Sequence, residues 1–484
     1  MSSRPSPCIL TVLAVSGLWL TACAINPATG KRQFVLISER QEIEIGHEND
    51  RAITNQMGLY DDFALQEYVQ SLGRKLASLS ERPDLAWSFK VVDDPVVNAF
   101  ALPGGYIYVT RGILAHLDNE VELVAILGHE IGHVTARHSV SQMSKAQLTQ
   151  LGLGAASVVA PEEAQRFGGL VSSGLGLLFL KYGRDDERQA DDLGLRYVAA
   201  AGYDARPMAD VFDMLERVSD AAGGGRVPGW MATHPAPANR RERAKEQLAA
   251  LGQDFAGRPV GREEFLRRID GITFGEDPRS GYFKDTVFYH PDMRFRLEFP
   301  RGFQVRNQRQ AVIGISEEQD ALVQLTLARE PTAGSGLQNF FSQEGVARIG
   351  PAMGSIGGLT TAGDGFSATS EQGSIEGRVG FVEYRGQVFR MLGYAVQSRW
   401  AAYQSSIRAA LASFRELTDR QALDVRPKRL EVIEVTRSVR LAEFASDHDA
   451  TVPSATLALI NRLDPDALLQ RGRKYKLVTG GAPP

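Results

Sequence analysis

Residues 129 to 133 read His-Glu-Ile-Gly-His. On an α-helix, two histidines four apart project from one face, close enough for both imidazoles to grip a single metal ion. Glu130 lies beside that ion, where its carboxylate can take a proton from water and pass it to a leaving amine. The chemistry implied is hydrolysis of a peptide bond by activated water, with no covalent enzyme intermediate. Zinc, one ion per chain, is the metal this spacing suits. A catalytic zinc takes three protein ligands and keeps a fourth position open, so a third donor must come from elsewhere.

Two candidates compete for that place. Extending the motif to a third histidine would need glycine at 136 and histidine at 139, where the chain has Ala136 and Ser139. His138 misses the register by one residue and reads as a surface group or an outer partner of the ligands. Glu187 is the better candidate, within Arg184-Asp185-Asp186-Glu187-Arg188-Gln189-Ala190-Asp191. Glu187 and Asp191 are one helical turn apart, so one carboxylate can bind metal while the other accepts a hydrogen bond from a ligating imidazole. A carboxylate-rich helix is by itself more often a solvated face, and spacing alone leaves the third ligand open.

The elements that must position these groups are legible nearby. Asn119 and Glu122 have capping-box spacing at the start of a helix whose Val121, Val124, Leu127, Ile131 and Val134 share a face, and the motif lies inside it. Before it, strand-like Trp87–Val92 precedes a hairpin signal: Asn98-Ala99-Phe100-Ala101-Leu102, the turn Pro103-Gly104-Gly105, and Tyr106–Thr110. Residues 39–80 read as helical. A second helix runs from about Asp185 to Ala201 and stops at Gly202, another starts at Pro207 and reaches Val218, and one more spans Asn239–Leu251. Residues 147–180 are apolar and rich in Gly, Ala and Ser, interrupted by Glu162, Glu163 and Arg166. They read as a buried helical hairpin, with a membrane-dipping element as the alternative.

At 484 residues, with 43% hydrophobic and 23% charged content, the chain is expected to form several globular domains. A net charge of −4 and a pI near 6.1 leave no basic excess for neutralising phosphates, which argues against nucleic acid as a partner. Residues 1–22 carry one cation, Arg4, and an apolar run from Ile9 to Leu20 too short to span a bilayer comfortably, as in an export signal. That run ends in Leu20-Thr21-Ala22-Cys23, which resembles the lipobox of bacterial lipoproteins; the resemblance implies acylation of Cys23. Ala24, in place of an aspartate, suggests the periplasmic face of the outer membrane; an ordinary signal peptide cut near the same place, leaving a soluble periplasmic protein, is the alternative. The other cysteine, Cys8, lies inside the signal, so no disulfide is expected.

After residue 272 the pattern turns to short alternating strands such as Phe295–Phe299 and Ala321–Leu327, closing on a helix at Tyr403–Phe414. The expected division is 1–22 signal, 23–272 peptidase domain, 273–418 a separate α+β domain that faintly resembles the PsbP-like fold, and 424–480 a small module that resembles LysM. The whole reads as α+β and multidomain, with a mainly helical zincin domain and a small sheet at its cleft. Arg429, Arg437, Arg440, Arg471, Arg473 and Lys474 make the last module basic and raise peptidoglycan as a partner, although such a cluster is usually a solvated face.

Three ordered motifs carry a family resemblance: His129 to His133, Glu187 to Asp191, and Thr233-His234-Pro235 with Arg240. Together they resemble the gluzincin metallopeptidase family of the CAAX prenyl protease, HtpX and BepA over residues 26 to 270. Asn26-Pro27-Ala28-Thr29-Gly30-Lys31-Arg32-Gln33 resembles the start of its periplasmic, lipoprotein-like members. The resemblance implies Glu187 as the third zinc ligand and Asp191 as its outer partner. It places His234 near the metal, either stabilising the oxyanion or filling the open position in a latent state. It also implies that Asn98, Ala99, Phe100 and Ala101 form a strand at the cleft edge that binds extended peptide. The spanning helices of the prenyl protease are missing, so prenylated substrates are not expected, and the carboxy-terminal domains differ from the helical repeats of BepA. The implied role is an envelope endopeptidase acting on misfolded or stalled proteins during outer-membrane assembly, anchored to lipid through Cys23. A largely latent protease acting as a chaperone or scaffold is the alternative.

Overall fold

A computed structural model describes residues 23–152, 181–221, 230, 234, 239–370 and 373–481. Residues 1–22, read above as an export signal, most of the apolar 147–180 stretch, and Thr233 and Pro235 lie outside the described residues. The chain divides into two compact units, one made of residues up to Gly275 together with Arg429–Thr479, the other of Glu276–Lys428. Among the described residues no helix is long and apolar enough to cross a membrane.

The first unit opens with a short hairpin of β1 (Cys23–Ile25) and β2 (Arg32–Phe34). Helices α1 (Glu39–Met57) and α2 (Phe63–Ala77) follow. Ser38 caps α1 in a reciprocal box with Gln41, and Asp62 caps α2, each supplying an acceptor to an otherwise orphaned amide. Strands β3 (Ser88–Val92), β4 (Ala99–Leu102) and β5 (Tyr106–Thr110) form a three-stranded sheet. In it β5 is central, parallel to β3 and antiparallel to β4. The tight turn between β4 and β5 uses Gly104 and Gly105 at φ of 81° and 99°, a region that disfavours side chains with a Cβ.

Thr110 then caps α3 (Arg111–His116), and Asn119 caps α4 (Glu120–Thr135). The sequence pattern suggested an amphipathic α4 with one apolar stripe. Instead every residue from Val121 to Thr135 is buried, so α4 is the central rod of the unit rather than a surface helix. Arg137 just beyond it adopts a left-handed φ of 59° and leads into α5 (His138–Gly152). Helices α6 (Arg184–Ala200), α7 (Met208–Ala221), α8 (Arg240–Ala250) and α9 (Arg262–Ile269) complete the helical shell. One continuous apolar core joins α2, the sheet, α4, α6, α7 and α9.

Strand β6 (Thr273–Phe274) does not begin a separate domain. It forms a three-stranded sheet with β7 (Lys428–Glu434) and β10 (Lys474–Gly480) of the carboxy-terminal segment. Between them lie β8 (Val439–Arg440), α10 (Leu441–Asp447), α11 (Ser454–Asn461) and β9 (Leu468–Leu469), packed on a small core of Leu441, Phe444, Leu457 and Leu477. Of its basic groups, Arg437 pairs with Glu443 and Asp447, Arg440 donates to Asp466 O, and Lys474 pairs with Glu263.

The second unit is a seven-stranded antiparallel sheet and a four-stranded sheet, with helices Ala333–Phe341 and Trp400–Ala412. Alternating burial along Ala321–Leu327 matches its period-two pattern, Val323 and Leu325 facing the core. Gly393 lets the second helix sit directly on the sheet, because a Cβ there would meet Ile407 at 2.4 Å.

Candidate metal centre

Helices α4 and α6 cross at glycines. A Cβ on Gly194 would stand 2.9 Å from His129 N and 3.0 Å from Gly128 C, and one on Gly132 would stand 3.0 Å from Ala190 Cα. Backbones this close bring the carboxylates of α6 within reach of the histidines of α4. His129, Glu130, His133, Glu187 and His234 are all buried, an arrangement that burial alone would disfavour for charged groups unless they are paired.

Their donor atoms converge. His129 Nε2 and His133 Nε2 are 3.0 Å apart, Glu187 Oε2 is 3.6 Å from the first and Glu187 Oε1 3.4 Å from the second. His234 Nδ1 adds a fourth corner, 3.3 Å from His129 Nε2 and 2.9 Å from Glu187 Oε1. These four residues each offer one ligand atom within 4.8 Å of the others. Four ligands at about 2.1 Å from a tetrahedral zinc would stand roughly 3.4 Å apart, so the separations suit the ion.

The outer hydrogen bonds fix which ring nitrogens face inward. Asp191 Oδ1 is 2.9 Å from His129 Nδ1, and a carboxylate can only accept, so Nδ1 carries the proton and the Nε2 lone pair points into the cluster. Arg240 holds that carboxylate from behind, Nη2 to Oδ1 at 2.6 Å and Nε to Oδ2 at 3.0 Å. A second chain runs from Gln189 Oε1 to His138 Nε2, then from His138 Nδ1 to His133 Nδ1, each at 2.9 Å. With the amide oxygen accepting, His138 accepts from His133, whose Nε2 lone pair also points inward. Two lone pairs facing each other at 3.0 Å repel, and a cation between them converts that repulsion to binding. Glu130 Oε2 is buried without a hydrogen-bond partner, and Glu187 Oε2 has no hydrogen bond and faces the Arg240 guanidinium at 3.3 Å, an expense that a bound cation and its water would reduce. The residues therefore fit a zinc ion.

Electrostatics follow the same lines. Burial holds His133 well below the usual histidine range and outweighs the pull of Glu187. At His234 burial acts downward too, but the carboxylates of Glu130 and Glu187 overcome it and raise the ring. Burial would raise Glu187, yet His234, His133 and His129 hold its carboxyl far below the ordinary value. Asp191 is likewise lowered, burial being overcome by Arg240 and His129.

The sequence reading grouped His129, Glu130, His133, Glu187, Asp191 and His234, and the fold brings all six together. His138 is buried rather than at the surface and touches His133. Two aromatic neighbours escaped that reading. Tyr182 stacks on His133 at 4.0 Å between centroids, its hydroxyl 2.8 Å from Ser139 Oγ. Trp230 stacks on His234 at 4.7 Å and lies under the Arg240 guanidinium at 4.8 Å. Neither belongs to a motif with a spacing signature, although Tyr182 stands just before Glu187 and Trp230 one turn before His234, whose amide donates to Trp230 O at 2.9 Å.

Strand β4 is an edge of its sheet, and Trp230 N donates to Val97 O at 3.3 Å, which brings the start of this edge beside the cluster. Asn98 is held by Thr110, whose amide and hydroxyl both donate to Asn98 O at 3.0 and 2.9 Å. Ala99 and Ala101 face the main core, whereas Phe100 turns to the other side and stacks on Tyr108 at 4.8 Å. Cys23 is the first residue of β1.

Two imidazoles from α4 and a carboxylate from α6, arranged about a buried point, define a metal centre of the gluzincin type. Residues 64–248 match the model of Peptidase family M48. The chain is 31% identical over 279 residues to a putative beta-barrel assembly-enhancing protease of Vibrio cholerae, covering 54% of this chain and 57% of that protein. It is 32% identical over 213 residues to the mitochondrial metalloendopeptidase OMA1 of Arabidopsis thaliana, covering 43% of this chain and 42% of that one. The beta-barrel assembly-enhancing protease of Escherichia coli matches at 26% over 247 residues, 49% of this chain and 50% of its own. The chain thus spans about half the length of the curated relatives it matches. A solution structure of cyanobacterial PsbP from Synechocystis overlaps 28% of this chain and 95% of its own at 13% identity, with a TM-score of 0.23, too low to argue from.

Proposed function

We propose that this protein is a zinc-dependent endopeptidase of the bacterial cell envelope that cleaves misfolded or stalled envelope proteins, with Cys23 as a lipid anchor. The observation that carries this reading is the convergence of His129, His133 and Glu187 beside a Glu130 carboxylate oxygen that has no hydrogen-bond partner. Bound zinc would supply Lewis acidity for the scissile carbonyl and lower the pKa of water. Glu130 is the proton acceptor and then the donor to the leaving amine. Asp191 and Arg240 orient His129, and the Gln189–His138 pair orients His133. An extended substrate adds to the β4 edge at Asn98–Ala101, where backbone hydrogen bonds give affinity with little sequence choice, as suits unfolded segments.

A second reading, a largely latent protease that holds partners as a chaperone, is favoured by His234. Its Nδ1 stands with the three ligands, in the corner that substrate or water needs. In this reading the conformation described is the resting one and His234 must leave for cleavage. The decisive experiment compares the wild-type mature chain with Glu130→Gln on a reduced, unfolded protein substrate, measuring cleavage and bound zinc together. Loss of cleavage with zinc retained is expected, and cleavage by Glu130→Gln at the wild-type rate would remove proteolysis by this site from the explanation.

A further inference from the structure

Both ends of α4 are gripped by segments remote in sequence, and the grip at its start comes from the carboxy-terminal segment. Lys476 is fully buried, and its Nζ donates to Leu117 O at 2.7 Å and Ala115 O at 3.3 Å, the carbonyls exposed where α3 ends. Arg462 pairs with Glu122, whose carboxylate also accepts from Asp118 N at 2.8 Å and Asn119 Nδ2 at 2.6 Å. Glu122 thus closes the cap of the metal-bearing helix and binds the carboxy-terminal segment with the same group. Asn461 ties the two contacts together, its Nδ2 donating to Lys476 O and its Oδ1 accepting from Lys476 N, both at 2.8 Å. Arg262 adds a third link, bonding Asp118 through Nε and Nη2 and reaching Lys474 O at 2.9 Å.

The backbone at Arg462 shows that this contact is specified. It ends α11 in the left-handed region at φ 54°, where glycine or asparagine is the favoured residue. An arginine there gives up about 1–2 kcal/mol of backbone preference. What the position gains is a guanidinium aimed at a buried carboxylate.

The α3–α4 junction is the link between the two parts of the candidate site. Thr110, which caps α3, also bonds Asn98 O at the start of the edge strand, and α4 carries His129 and His133 about 14 and 20 Å further along its axis. We infer that residues 429–479 are a positioning element of the peptidase unit, whose Lys476 and Arg462 lock the α3–α4 junction and so set the edge strand against the metal-bearing helix. This deepens the endopeptidase reading and rests on it for its catalytic consequence, though not for its structural one. Misplacement of a bound substrate relative to the reacting groups lowers turnover more than binding, on the order of ten- to a hundredfold for a shift near 1 Å.

The test uses the full mature chain with Arg462→Met, Arg462→Lys and, as a control, Phe444→Leu, which loosens the module's own core away from the junction. Amide hydrogen exchange across residues 115–125 is read with and without zinc, alongside kcat and KM on an unfolded protein substrate. Arg462→Met is expected to speed exchange at the junction and to lower kcat at least tenfold with KM within about twofold. Arg462→Lys should recover most of both, and Phe444→Leu should reproduce neither at an equal loss of Tm. Unchanged exchange in Arg462→Met, or an equal kcat loss in Phe444→Leu, would overturn the inference. If the wild-type chain cleaves nothing, the endopeptidase reading fails while the exchange result still decides whether the junction is held.

Discussion

Asp191→Asn removes one charge and keeps the shape of the side chain, so it isolates the part played by the carboxylate behind His129. In the native structure that carboxylate accepts from His129 at 2.9 Å and holds Arg240 through two bonds at 2.6 and 3.0 Å. An asparagine turns an amide donor toward either the guanidinium or the imidazole. One of the two contacts is therefore lost, and the tautomer that aims His129 Nε2 inward loses its support. Removing such an outer partner costs roughly 10- to 100-fold in metal affinity. At about 1.4 kcal/mol per decade, that is about 1.4–3 kcal/mol. Arg240 is left buried with Glu187 Oε2 at 3.3 Å as its remaining anion, and breaking a buried pair costs about 3–5 kcal/mol of stability. Zinc competition with a metallochromic chelator reads the first effect and thermal denaturation of the metal-free chain the second. A zinc Kd within twofold of wild type would refute the claim that Asp191 sets the orientation of His129.

Three further outcomes follow from other contacts. His138→Leu should weaken zinc binding by about tenfold, with His138→Gln closer to wild type because its amide oxygen can still accept from His133; equal affinities would separate His138 from the site. Gly194→Ala changes no polar group, yet its methyl meets backbone at 2.9 Å, so it should separate α4 from α6, lower Tm and reduce zinc content, which metal analysis of the purified variant checks. Burial pulls the Lys476 amine down from 10.5 to about 8, so the folded chain binds fewer protons than the unfolded one between those values. Stability from this group therefore rises with pH across that window and is lost as pH falls through 8. The stability difference between wild type and Lys476→Met should move toward wild type by on the order of 3 kcal/mol between pH 8 and 10.5, as followed by urea unfolding.

Local signals were the ones the sequence carried well. Capping at Asn119, the glycine turn after Leu102, and the strands at 106–110 and 321–327 all appear within a residue or two of where their patterns put them. Each rests on a short-range rule of spacing or backbone preference. The site was legible because the ligand spacing and the Glu187–Asp191 pair are also short-range, and because family resemblance linked them to His234. What failed was information held between distant segments. The full burial of α4 was invisible, since its apolar stripe gave no hint that β4, α6 and α7 would cover the other faces. Gly128 and Gly194 look like ordinary helix-weakening residues until the two helices are seen to cross there. The carboxy-terminal segment read as a free basic module, whereas its sheet includes β6 and its Lys476 is buried against α3. A buried lysine has no signature in a sequence where lysines are mostly exposed.

Metal content is the most direct probe of the central claim, that His129, His133 and Glu187 together hold one zinc. The chain from residue 23 onward, dialysed and analysed for metal beside Glu187→Ala and His138→Ala, should carry one zinc per chain in the wild type. Glu187→Ala should carry almost none, and His138→Ala should keep most of its ion at a weaker affinity. Zinc retained by Glu187→Ala and lost from His138→Ala would contradict the account.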